Sequence, residues 1–123
     1  MTMTYAEYPE DALVEIRLDG RVTREDYEAC IDKMQSFIDT HGTVKMVEII
    51  DSFSGFDPSV IWDGMKFDMR NIKHFSHVAV VSDLGWVSPA AKAAGAFIST
   101  KLRMFDLAHL EDARAWLRNP DQD

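Results

Sequence analysis

Four apolar residues in succession, Val78-Ala79-Val80-Val81, stand between His77 and Ser82. A short unbroken apolar run predicts a strand over 77–82 buried on both faces, in the middle of a sheet with helices on either side. Val44 to Ile50 is a second such run, ended by Asp51, and Leu102-Arg103-Met104-Phe105 is a third, ended by Asp106. Nearer the N-terminus, residues 2–8 and 12–18 flank Pro9-Glu10-Asp11, a turn composition. Leu13, Val14, Ile16 and Leu18 mark the second of these runs as a strand. The pair predicts an antiparallel hairpin at a sheet edge, closed by Asp19-Gly20.

Between the strands the apolar period lengthens. Tyr27, Cys30, Ile31, Met34 and Ile38 recur at helical spacing, after Thr23 and Asp26 in a capping-box arrangement and before His41-Gly42. A helix over about residues 24–40 follows. A second is expected over about 58–74, with Asp57 as N-cap, Pro58 in the first turn, and Ile61, Met65, Met69 and Ile72 as its core stripe. Trp62 borders that stripe beside Lys66, Arg70 and Lys73, while Val60 and Phe67 point the other way. Ser88-Pro89 opens a third helix over 88–101, rich in alanine. Leu110, Ala113 and Leu117, with Trp116 alongside, make the last helix, before a frayed acidic tail over 119–123. The order is a hairpin and then βαβαβα. It predicts an α/β fold with a mixed sheet, parallel at 44–50, 77–82 and 102–105, in one domain over 1–123.

Charge narrows the function classes. Lys and Arg number 13 against 21 Asp and Glu, a formal net charge of −8. That argues against sequence-independent nucleic-acid binding and against strong global attraction to anionic membranes. The first seven residues carry neither a basic nor an apolar signal region, so no signal peptide is expected. No apolar stretch reaches the length of a membrane span. The single Cys30 suits a reducing compartment and reads as a small buried thiol, since no basic group shares its stripe. A cytoplasmic location is expected.

Catalytic and metal signatures are sparse. The sequence has no phosphate-binding glycine loop, no nucleophile elbow and no His-Glu-x-x-His. His41, His74, His77 and His109 fall at element ends, and His74 and His77 straddle a helix-to-strand break, so neither metal nor cofactor is expected. Asp51, Asp83 and Asp106 each follow a strand and would gather at one edge of a parallel sheet. They read as caps of the next turn rather than as an acid–base set. No nucleophile–base pair is readable, so no enzyme and no catalytic residue is expected.

Aromatic and methionine residues cluster differently. Phe53, Trp62, Met65, Met69, Trp86 and Phe97 are expected to line an apolar cavity between the 58–74 helix, the 88–101 helix and the carboxyl edge of the sheet. A filled core is the alternative. The 88–101 helix is expected to act as a lid or membrane-facing element, through Lys92, Phe97, Ile98 and Lys101, because Leu84 to Phe105 carries basic residues and no acidic one. Close packing of small residues on the sheet is the alternative.

Four motifs in order carry a resemblance: Thr23-Arg24-Glu25-Asp26-Tyr27; Trp62-Asp63 with Lys66-Phe67-Asp68; Phe75, then Val78-Ala79-Val80-Val81-Ser82-Asp83 and Trp86; and Phe105-Asp106 with Ala113-Arg114-Ala115-Trp116-Leu117. Together, over nearly the whole chain, they resemble the SpoIIAA-like family, a branch of the STAS and CRAL-TRIO-like α/β domains. The resemblance implies a small mixed sheet wrapped by helices. It also implies binding of apolar small molecules and association with membranes. STAS relatives that antagonise anti-sigma factors switch on a serine in an Asp-Ser-Ser-Gly motif at a helix N-terminus. The nearest residues here are Asp57-Pro58-Ser59-Val60, which makes Ser59 the candidate phosphosite, although no glycine follows. Asp51-Ser52-Phe53-Ser54-Gly55 is a looser echo. The first expectation is a non-enzymatic binding domain for a small apolar or lipid-like ligand, reversibly touching membranes. The alternative is a STAS-type protein-interaction module, anti-sigma-antagonist-like and phospho-regulated.

Overall fold

The computed structural model describes residues 3–56, 59, 66, 67, 70–85, 87, 89, 92 and 99–120. Its elements are β1 (Met3–Tyr8), β2 (Leu13–Val22), α1 (Arg24–His41), β3 (Val44–Phe56), β4 (Phe75–Ser82), β5 (Lys101–Phe105) and α2 (Leu110–Arg118). The five strands lie in the sheet in chain order. β1 pairs antiparallel with β2, Met3 opposite Leu18 and Tyr8 opposite Leu13. β2, β3, β4 and β5 are then mutually parallel. This is the expected mixed α/β sheet, with the hairpin at one edge. β4 is internal, between β3 and β5, and the middle of the sheet belongs to β3.

The alternation of side chains builds two cores. Val14, Ile16, Leu18, Val44, Ile50, Val78 and Val80 face α1 and meet Tyr27, Cys30, Met34, Phe37 and Ile38. Leu13, Val47, Ile49, Ala79 and Val81 point to the opposite face and meet Ala113 and Leu117 of α2. The unbroken Val78–Val81 run therefore serves both layers, as a strand covered on both sides must.

Local signals set the ends of α1. The Thr23 hydroxyl accepts from the Asp26 N–H at 3.2 Å. Gly42, at φ 78°, lets the chain turn away while its N–H bonds Ile38 O at 2.7 Å.

Two expected strand ends are overrun. β2 continues past Asp19-Gly20 to Val22, and β3 continues past Asp51 to Phe56. The two remain paired through register shifts at Leu18/Asp19 and Gly20/Arg21. Gly20, at φ 90°, absorbs the distortion. Asp51 stays in its strand because Arg17 on β2 neutralises it: Arg17 Nε and Nη2 donate to its carboxylate at 2.5 and 3.0 Å. Ser52 Oγ likewise donates to Asp19 at 2.6 Å. Polar residues that look like terminators are here cross-strand partners.

Ser59, Lys66, Phe67, Arg70 and Asn71 are helical, as are Val87, Pro89 and Lys92. The remainder of the expected 58–74 segment up to Met69, and Ser88 with most of the residues from Ala90 to Ile98, lie outside the described residues. The first segment ends in a tight 3-10 turn, Ile72–His74. It is tied to α1 by paired amides: Asn71, 1% exposed, donates to Gln35 at 2.8 Å and accepts from it at 3.1 Å. The second segment does not extend through 101. Thr100 turns its hydroxyl to the carbonyls of Ile72 and Phe75, at 3.3 and 2.7 Å, and Lys101 opens β5.

Candidate functional site

Because β2 to β5 are parallel, their carboxyl ends share one edge of the sheet, the usual place for function in such sheets. Val22 is opposite Phe56 at the ends of β2 and β3. The chain leaves these ends into Arg24, in the first turn of α1, and into Ser59. Arg24 Nε donates to Ser59 Oγ at 2.9 Å, and Arg24 Nη2 donates to Ser59 O at 2.5 Å. Arg24 Nη1 also reaches Glu28 at 3.0 Å. Ser59 is exposed. The candidate phosphosite thus carries a guanidinium already in hydrogen-bond reach of its hydroxyl, in the fork geometry that suits a phosphate.

The three strand-following aspartates do not form one set. Asp51 is engaged by Arg17, whose hydrogen bonds and charge hold its carboxyl below the ordinary carboxylate value. Asp83 Oδ1 accepts from the Leu107 N–H at 3.0 Å and fixes the turn after β5. Asp106 lies 3.9 Å from His109 Nδ1, and both are exposed. Only Asp83 holds a turn as the capping expectation has it; Asp51 is a cross-strand partner inside β3, and Asp106 makes no side-chain cap bond.

Sequence reasoning missed a depression at the carboxyl ends of β4 and β5. It has a volume of about 540 Å³ and is lined by Ser82, Arg103, Met104, Phe105, Asp106, His109 and Asp112. The Arg103 guanidinium lies 5.1 Å from the Phe105 ring centre and 5.7 Å from that of Trp116. The only signal for this place was the position of Asp106 after a strand.

Of the residues expected to line the apolar cavity, only Phe53 is among the described residues. Phe53 is half-buried and packs against the α1-side core. Trp62, Met65, Met69, Trp86 and Phe97 lie outside the described residues. Of the expected lid residues, Lys92 and Lys101 are exposed, and Phe97 and Ile98 lie outside the described residues. Cys30 is a buried thiol whose pKa burial pushes up, which disfavours the reactive thiolate form. Among the described residues there is no group of His, Cys, Asp and Glu able to hold a metal. Among them, no helix is long and apolar enough to cross a membrane.

The SpoIIAA-like family model matches residues 13–118. No curated protein matches the chain. Among solved structures, the chain is similar to an uncharacterized DUF3478-family protein with a SpoIIAA-like fold from Shewanella loihica PV-4. The two are 24% identical with a TM-score of 0.74, over 94% of this chain and 91% of that one.

Proposed function

This chain belongs to the SpoIIAA-like family, and from that premise we propose that it is a STAS-type protein-interaction module whose recognition surface is the Ser59–Arg24 corner. The observation that carries this reading is the Arg24 guanidinium on Ser59, with Nε 2.9 Å from Oγ. A hydroxyl that is exposed, at a helical residue and beside a forked cation is arranged to accept a phosphate and to hold it in place. A phosphate there adds nearly two negative charges to a chain of net charge −8. It also draws Arg24 away from the Ser59 carbonyl, so the surface offered to a partner changes in charge and in shape.

The role proposed is recognition rather than catalysis. The separate engagement of Asp51 by Arg17 and of Asp83 by the Leu107 N–H supports that, since the two carboxylates are not brought together as an acid–base set. The apolar-ligand reading gains no support from Phe53, which is half-buried against the core. Tandem mass spectrometry of the chain isolated from cells that make it tests the proposal. A phosphate localised to Ser59 and absent in a Ser59→Ala variant supports it. Phosphate confined to other serines, or to none, in cells grown through exponential and stationary phases counts against it.

A further inference from the structure

β5 is the last strand of the sheet, and among the described residues no strand pairs with its outer side. The depression at its carboxyl end touches Ser82 of β4 as well as the residues from Arg103 to Asp106. The outer edge of β5 carries backbone N–H and C=O groups that no strand among the described residues takes up. Unpaired edges of this kind are templates for another strand.

Charge is divided along the edge. Lys101 is exposed at its amino end, Arg103 at its middle and Asp106 just past its carboxyl end, with His109 and Asp112 exposed beyond it. We propose that β5 docks antiparallel on β5 of a second copy of this chain, about a twofold axis at Arg103, so that two five-stranded sheets become one. The antiparallel arrangement sets the basic end of each edge against the acidic end of the other, whereas a parallel one sets like on like. A twofold interface must be self-complementary, and this edge is.

The register follows from strand length. Centring the five residues Lys101–Phe105 on Arg103 gives the longest ladder and places Lys101 opposite Phe105 of the second copy. Both residues lie on the sheet face that carries α2. The Lys101 ammonium then stands at the rim of the second copy's depression, beside its Asp106 and Asp112. The two Arg103 side chains do not meet head-on at the axis, because each guanidinium is drawn back over its own Phe105 and Trp116 rings.

Sedimentation equilibrium of the full chain over a concentration series reaching the millimolar range tests this. The expected result is a reversible rise from 14.0 kDa toward twice that mass. Lys101→Glu weakens the association at least about tenfold, as does the Asp106→Lys, Asp112→Lys pair, and the three substitutions together bring it back to within about threefold. All three sites are exposed, and far-UV circular dichroism and the melting temperature of each variant report its folding separately. A monomer throughout the series overturns the proposal. So does a dimer indifferent to the charge reversals, or a combined variant that shows no recovery.

Discussion

Arg24 Nε lies 2.9 Å from the Oγ of Ser59, a residue 35 positions further along the chain. The contact exists because β2 and β3 run side by side to their carboxyl ends, with Val22 opposite Phe56. It joins the first turn of α1 to the residue that the family resemblance singles out. A phosphate on Ser59, or its mimic in Ser59→Glu, is expected to stabilise the fold through Arg24. In a double-mutant cycle with Arg24→Ala, the coupling measured by urea denaturation should be about 0.5–1 kcal/mol, the modest value of a solvent-accessible pair. Zero coupling would mean that Arg24 does not recognise the added charge.

The Arg17–Asp51 pair should give the stability a recognisable acid dependence. Asp51 has its pKa lowered from 3.8 by the hydrogen bonds and charge of Arg17. A carboxyl with a depressed folded-state pKa stabilises the protein fully above its unfolded value, and loses that contribution as pH falls through its folded value. Asp51→Asn is therefore expected to cost about 0.5–1 kcal/mol at pH near 7, and nearly nothing in strong acid. Urea midpoints of both proteins, taken from neutral pH down below the ordinary carboxylate range, check this. A cost that does not shrink in acid would show that the carboxylate charge is not what matters.

That pair also marks where the sequence misled. Asp51 looks like a strand terminator because its partner, Arg17, is 34 residues away. No local pattern shows that a charge will be neutralised by a neighbouring strand, so β3 was expected to stop at Ile50 and instead runs to Phe56. The Val78–Val81 run was legible, because burial on both faces leaves a local trace in four consecutive apolar residues. The α1 cap was legible for the same reason, Thr23 and Asp26 being three positions apart. Arg24 on Ser59 was not, and neither was the hollow at the carboxyl ends of β4 and β5. Both arise where the ends of separate elements converge.

Leu117 is fully buried in the smaller core, against Ala113 and the Val47, Ile49, Ala79 and Val81 face of the sheet. Leu117→Ala should cost about 2–4 kcal/mol in urea denaturation, the usual range for deleting buried methyl groups. A cost below about 1 kcal/mol would indicate that α2 is not anchored as the structure has it.

Cys30 faces the α1 core and burial raises its pKa. Native protein at neutral pH should react with a thiol reagent only through unfolding, so its labelling rate should follow urea concentration in step with the unfolding transition. Rapid stoichiometric labelling without denaturant would contradict that placement.

The interaction surface is tested most directly by placing a photo-crosslinking amino acid at either end of α1. Glu25 is exposed beside Arg24, and Ser36 is exposed toward the far end of the helix. The expected outcome, in cells that make the protein, is a discrete protein adduct from position 25, lost when Ser59→Glu is added, and no such adduct from position 36. Identical adduct patterns from both positions, or a position-25 adduct indifferent to Ser59→Glu, would contradict recognition at the Ser59–Arg24 corner.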